Sequence, residues 1–169
     1  MHGSDTSTSL APSGSSPPDS TSAAATPVSA TTPATDPAGA TACALVTEQD
    51  VTTELGADPG PGSKFNSHGS SQCQYGSYQT RFVLVNLIPA QARAGYDTVR
   101  NNRNRPATVH VVDVAGVGDR AFEVSGPHTA GIYFNKGDAL IVVTVEILTI
   151  TAPPTGQTLA LAKTAASRV

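Results

Sequence analysis

The chain of 169 residues offers chemistry through few groups: four histidines, two cysteines, scattered serines and a modest set of carboxylates. A metal centre needs converging ligands, and spacings such as HxH, HxxxH or HExxH let one element supply two of them. His68, His110 and His128 show none of these spacings. Nucleophilic catalysis needs a Ser or Cys beside a base that a third group orients. No serine stands in a GxSxG turn, and Cys73 lies in a Ser/Gly/Gln-rich stretch with no base nearby. Asp113, Glu123 and Glu146 could meet on a sheet, but paired carboxylates work only at defined separations, which linear spacing does not fix. The expectation is a non-enzymatic chain without catalytic residues, metal or cofactor.

Two patterns invite sharper readings. Gly116-Val117-Gly118-Asp119-Arg120-Ala121 spells GxGxxA after a β-rich run. A dinucleotide site would need a helix to begin there and aim its N-terminus at the pyrophosphate. Ala121-Phe122-Glu123-Val124 is instead short, β-like and followed by Gly126-Pro127, so a turn between strands is expected. Arg100, Arg103 and Arg105, interleaved with Asn101, Asn102 and Asn104, make a basic loop that could touch an acidic polymer or a lipid headgroup. A solvated connection between helix and strand is the plainer expectation. Net charge is −3 with 14% charged residues, which leaves no electrostatic footprint for nucleic acid.

Cys43 and Cys73 form one even pair. Behind a mucin-like tail such a pair suggests a disulfide and an oxidising compartment. The alternative is two unrelated buried thiols.

The elements that must position these groups occupy only part of the chain. Residues 1–41 are almost entirely Ser, Thr, Pro, Ala, Gly and Asp, with Leu10 and Val28 the only large aliphatics. Such a stretch cannot offset an ordering cost of roughly 1–2 kcal/mol per residue, so a disordered tether is expected. Residues 42–169 suffice for one α+β domain stapled by the disulfide. Within it, Thr47 caps a helix over Glu48–Leu55, Val46 and Val51 staple its start, and Gly56 ends it. A polar loop over Ala57–Ser71 should follow. Strands are expected at Gln72–Ser77 and Arg81–Ile88, the second apolar on both parities. Pro89 opens a helix whose Ala92, Tyr96 and Val99 share a face. Further strands are expected at Thr108–Val114, Arg120–Val124, Ala130–Phe134 and Ala139–Leu148, the last two a hairpin across Asn135–Asp138. Thr155 should cap a final helix that buries Leu159, Ala162, Ala166 and Val169. The sum is an antiparallel sheet of about five to six strands with about three helices packed on it.

Cys43-Ala44-Leu45-Val46-Thr47 running into a helix that ends Glu54-Leu55-Gly56, and Cys73 followed by Tyr75, open a longer pattern. Val117-Gly118-Asp119-Arg120-Ala121-Phe122, the Lys136-Gly137-Asp138 hairpin and a C-terminal Leu/Ala helix complete it. In that order they resemble the domain of unknown function 3558 family of actinobacterial secreted proteins and lipoproteins, from about Cys43 to the end. The resemblance implies an envelope lipoprotein with a Ser/Thr/Pro tether and supplies no catalytic residue. The chain departs from it in lacking a signal peptide and lipobox, and in having Gln74-Tyr75 where a Trp is common. Membrane attachment is accordingly expected only through a lipid anchor upstream of Met1.

Phe82–Ile88 and the mixed face of the last strand leave room for an apolar pocket between sheet and helix, lined by Phe82, Leu84, Tyr96 and Val142. The expectation is a monomeric extracytoplasmic binding module, lipid-anchored or secreted, whose partner is an apolar small molecule or an envelope protein. Its alternatives are an accessory envelope protein without a small ligand and a hydrolase with a cryptic site.

Overall fold

The computed structural model describes residues 41–67, 69–88, 92–102 and 105–169, with only the backbone described for Ser67, Ala92, Arg93 and Ala94. The 1–40 part of the tether, His68, Pro89, Arg103 and Asn104 lie outside the described residues. The order is α1 (Ala42–Leu45), α2 (Glu48–Leu55), β1 (Ser63–Ser67), β2 (Ser70–Ser77), β3 (Arg81–Ile88), α3 (Ala92–Arg100), β4 (His110–Val114), β5 (Arg120–Gly126), β6 (Thr129–Lys136), β7 (Ala139–Ile147) and α4 (Thr155–Ser167). The strands form one antiparallel sheet in the order β1-β2-β3-β7-β6-β5-β4. The fold is α+β as expected, with seven strands and four helices among the described residues.

Strand periodicity divides the side chains between two faces. Val83, Val85, Leu87, Ile141, Val143, Val145, Ile147, Ile132 and Phe134 point to one face and are buried against Leu45, Val46, Val51, Leu161, Ala162 and Ala165 of the N- and C-terminal helices. The alternate residues of the same strands point to the other face, where α3 lies. The apolar residues of β3 serve both faces: Val83, Val85 and Leu87 are buried in the helix-covered core, whereas Phe82 lies under Tyr78 and Leu84 and Ile88 are partly buried on the α3 side.

Local signals explain α2. Thr47 Oγ1 accepts from the Asp50 N–H at 3.3 Å, and the Asp50 carboxylate accepts from the Thr47 N–H at 2.7 Å, a reciprocal capping box. Gly56 takes the left-handed conformation, φ 66°, that closes the helix. Arg81 donates to the last-turn carbonyl of Leu55 at 3.1 Å.

Three expectations need correction. The stretch expected to be a loop over Ala57–Ser71 holds β1 and the start of β2; Ser63–Ser67 is polar because it is an edge strand. Thr155 is the first helical residue of α4, and Pro154 stands at the cap. The buried stripe of α4 is Thr158, Leu161, Ala162 and Ala165, with Leu159, Ala166 and Val169 only partly buried. A helix rich in Ala and Leu on all sides does not mark its inner face by periodicity, so contact with β6 and β7 decides it. The short helix α1 also escapes sequence reading: four residues carry no period, and α1 is held by the Cys43 bridge and by a bond from the Ala42 N–H to Ser71 Oγ at 3.0 Å.

Candidate functional site

The cysteine pair is a disulfide, with Cα atoms 5.0 Å apart and a sequence separation of 30. It ties α1 to the middle of β2. Cys73 is fully buried and neither sulfur is available as a nucleophile or metal ligand.

The other candidate chemistry disperses. His110 is exposed on the edge strand β4. His128 adopts φ 67°, and its Nδ1 meets the Ile150 carbonyl while its own carbonyl accepts from the Ile147 N–H, so it fastens a turn. Among the described residues no three His, Cys, Asp or Glu side chains converge on a metal position. Asp113 and Glu146 share the α3 face but stand on β4 and β7, three strand spacings apart and four residues out of register, and Glu123 points to the opposite face. Gly116 and Gly118 form the turn between β4 and β5, with φ 76° and 57°. A Cβ on Gly118 would lie 2.3 Å from the Asn135 carbonyl oxygen, so this glycine serves backbone packing. Arg100 and Arg105 are committed too: Arg100 forks onto Asp113, with Nη2–Oδ2 at 2.7 Å and Nε–Oδ1 at 3.0 Å. Arg105 donates to the carbonyls of Val99, Arg100 and Asn102 at the end of α3.

The residues expected to line a pocket do come to one face. Phe82 and Leu84 on β3, Val142 on β7 and Tyr96 on α3 all belong to the α3 side of the sheet. Their surroundings differ. Tyr96 is buried, edge-on to Phe122 with centroids 4.7 Å apart, and Phe122 stacks on Tyr133 at 5.0 Å. Phe82 is covered by the ring of Tyr78 at 4.1 Å. Between them the surface is half-buried at Leu84, Thr144 and Val124, with buried Gly131 in the same row across β3, β7, β6 and β5 and Val142 and Tyr133 in the next. Gly131 is closely covered; a Cβ would meet Thr144 Oγ1 at 3.2 Å and Tyr133 Cε2 at 3.4 Å. Asn86, beside Val142 on this face, has a buried Oδ1 without a hydrogen-bond partner among the described residues. Such an orphan acceptor costs about 1–3 kcal/mol. The orphan was not legible in the sequence, because Asn86 is an ordinary strand residue until register sets its neighbours.

Where α3 meets β4 and β5, a polar seam opens. A depression of about 500 Å3 lies between Tyr96, Arg100, Asp113 and Arg120, and one of about 390 Å3 between Asp97, Arg120, Asn135 and Gly137. The pairs Arg100–Asp113 and Arg120–Asp97, 2.7 and 3.1 Å, bridge it. Burial pushes the Tyr96 phenol above its usual pKa, against the pull of the Arg120 guanidinium. No helix among the described residues is long and apolar enough to cross a membrane. Comparison with family models, with curated proteins and with solved structures finds no match.

Proposed function

We propose that this chain is a non-enzymatic, extracytoplasmic binding module of the cell envelope, and that it receives an apolar small molecule on the α3 face of its sheet. The observation that carries this reading is the half-buried apolar surface of Leu84, Val124 and Val142 on the α3 side of the sheet. A ligand with an apolar body covers that surface. Export is supported by the Cys43–Cys73 disulfide, which persists in oxidising compartments, and by the resemblance to the envelope lipoprotein family. A protein-docking role draws on Tyr78 and Leu148, both exposed at one end of the sheet, where the Leu148 N–H donates to the Thr80 carbonyl.

The test is an NMR titration that follows methyl and aromatic resonances with naphthalene-2-carboxamide, which has an apolar body and is neutral. Shifts should cluster at Leu84, Val124 and Val142, and Leu84→Asp should abolish them. Shifts confined to Tyr78 and Leu148 would favour the docking role, and no shifts would remove the small-molecule reading.

A further inference from the structure

The seam between α3 and the sheet has an unusual filling. Two consecutive residues of α3 present an aromatic ring and a carboxylate to the sheet. The Tyr96 ring rests edge-on against Phe122 and beside Leu140, and the next residue, Asp97, offers Oδ1 to Arg120 Nη1 at 3.1 Å. One guanidinium reads both groups, because Arg120 Cζ also lies 4.1 Å from the Tyr96 ring centroid. Arg120 does not depend on α3 for its orientation. With the Asn135 amide turned so that its oxygen faces Arg120, that oxygen accepts from Nε at 3.2 Å and from Nη2 at 3.3 Å. Asn135 is itself buried, 5% exposed. The sheet therefore holds a fixed fork with one nitrogen left for an anion, next to an aromatic floor of Phe122 and Tyr133.

The helix that fills this position meets the sheet through few described side chains. Among residues 95–100, Tyr96 is buried and Val99 is partly buried against the same cluster. Gly95, where a Cβ would lie 3.4 Å from Leu140 Cδ2, contributes no side chain to the contact. The two ion pairs are exposed, with open depressions on either side. A nine-residue helix is marginal by itself, so its position depends on its contacts with the sheet.

We propose that Tyr96 and Asp97 are an internal stand-in for ligand, filling a site on the sheet for an aromatic anion whose ring lies against Phe122 and Leu140 and whose carboxylate pairs with Arg120. This deepens the binding-module reading and rests on it. The ligand class follows from the stand-in: a planar apolar ring with a carboxylate close by. Ligand and α3 compete, so affinity is set partly by how readily α3 withdraws.

The experiment compares naphthalene-2-carboxylate with the neutral carboxamide on the full chain, following the Phe122 and Leu140 resonances. The wild type should prefer the carboxylate by at least about tenfold, the scale of a charge-assisted hydrogen bond. Asp97→Asn removes the competing carboxylate at an exposed position and should tighten carboxylate binding about two- to fivefold, the range of an exposed ion pair. Tyr96→Ala should tighten carboxylate binding at Phe122 and Leu140 and leave carboxamide binding at Leu84 and Val142. Arg120→Gln should bring the preference to about one while leaving carboxamide binding at Leu84 and Val142. A preference near one in the wild type, or one unchanged by Arg120→Gln, overturns the proposal. Carboxamide binding that persists under that outcome leaves the wider reading standing, whereas failure of both probes in wild type and Asp97→Asn removes both.

Discussion

Asp50 shows how much a single residue can join. Its carboxylate closes the capping box with Thr47 and receives Arg168 in a fork, Nη1–Oδ2 at 2.5 Å and Nη2–Oδ1 at 3.0 Å, while Arg168 also donates to the Leu45 carbonyl. The start of α2 is thereby tied to the last turn of α4, 118 residues away. Burial pushes the Asp50 carboxyl up, but Arg168 and the Thr47 donors outweigh it and hold its pKa below the usual carboxylate value. A depressed folded pKa gives stability that is present above the unfolded value, near 3.9, and is lost as pH falls through the folded one. Urea unfolding of Asp50→Asn should therefore show weaker pH dependence than wild type below about pH 4, with the two curves separated most at neutral pH. Thr47→Ala should cost about 1 kcal/mol at pH 7 through loss of the cap. The cap itself was readable, since Thr47, Asp50 and Gly56 stand at fixed offsets around a short apolar period. The Arg168 fork was not, because nothing in the linear chain relates its two ends.

At the scale of elements, the disulfide matters most where packing is thinnest. α1 has four residues and no side-chain cap, too few to hold themselves. The Cys43–Cys73 bridge anchors α1 to β2, and Tyr75 reinforces it by donating its hydroxyl to the Val46 carbonyl at 2.5 Å. Closing a loop of this length restricts the unfolded chain by about 3–4 kcal/mol in the chain-entropy account. The double variant Cys43→Ala/Cys73→Ala should lose about that much in urea unfolding, and reductant should lower the stability of wild type but not of the variant. Intact mass without reductant should be two hydrogens below the all-thiol value. The pairing could be read from an even count of two cysteines. Its consequence, that α1 exists at all, comes from the sheet that Cys73 sits in.

Across the whole molecule, the two sheet faces are unequally covered. Three helices close one face over a continuous aliphatic core, and α3 stands on the other beside half-buried apolar residues. Limited proteolysis should cut first within residues 1–41, whose composition offers no core, and leave a resistant fragment beginning near Ala42, followed by mass spectrometry. Protection of that stretch would contradict the tether reading. Composition alone separates the Ser/Thr/Pro/Ala stretch from the remainder, because burial needs apolar side chains that residues 1–41 do not have. Period and punctuation alone place α2, β3 and the β6–β7 hairpin within a residue or two, and the C-terminal end of α3, because their apolar spacing, caps and turns act over a few positions. Tertiary structure decided the rest. Strand register put Phe82, Leu84 and Val142 on one face and orphaned Asn86 Oδ1 there; long-range pairing made an edge strand of Ser63–Ser67; and the docking of α3 set Tyr96 and Asp97 against Phe122 and Arg120. Each of these depends on which distant residues become neighbours, which no local preference along the chain encodes.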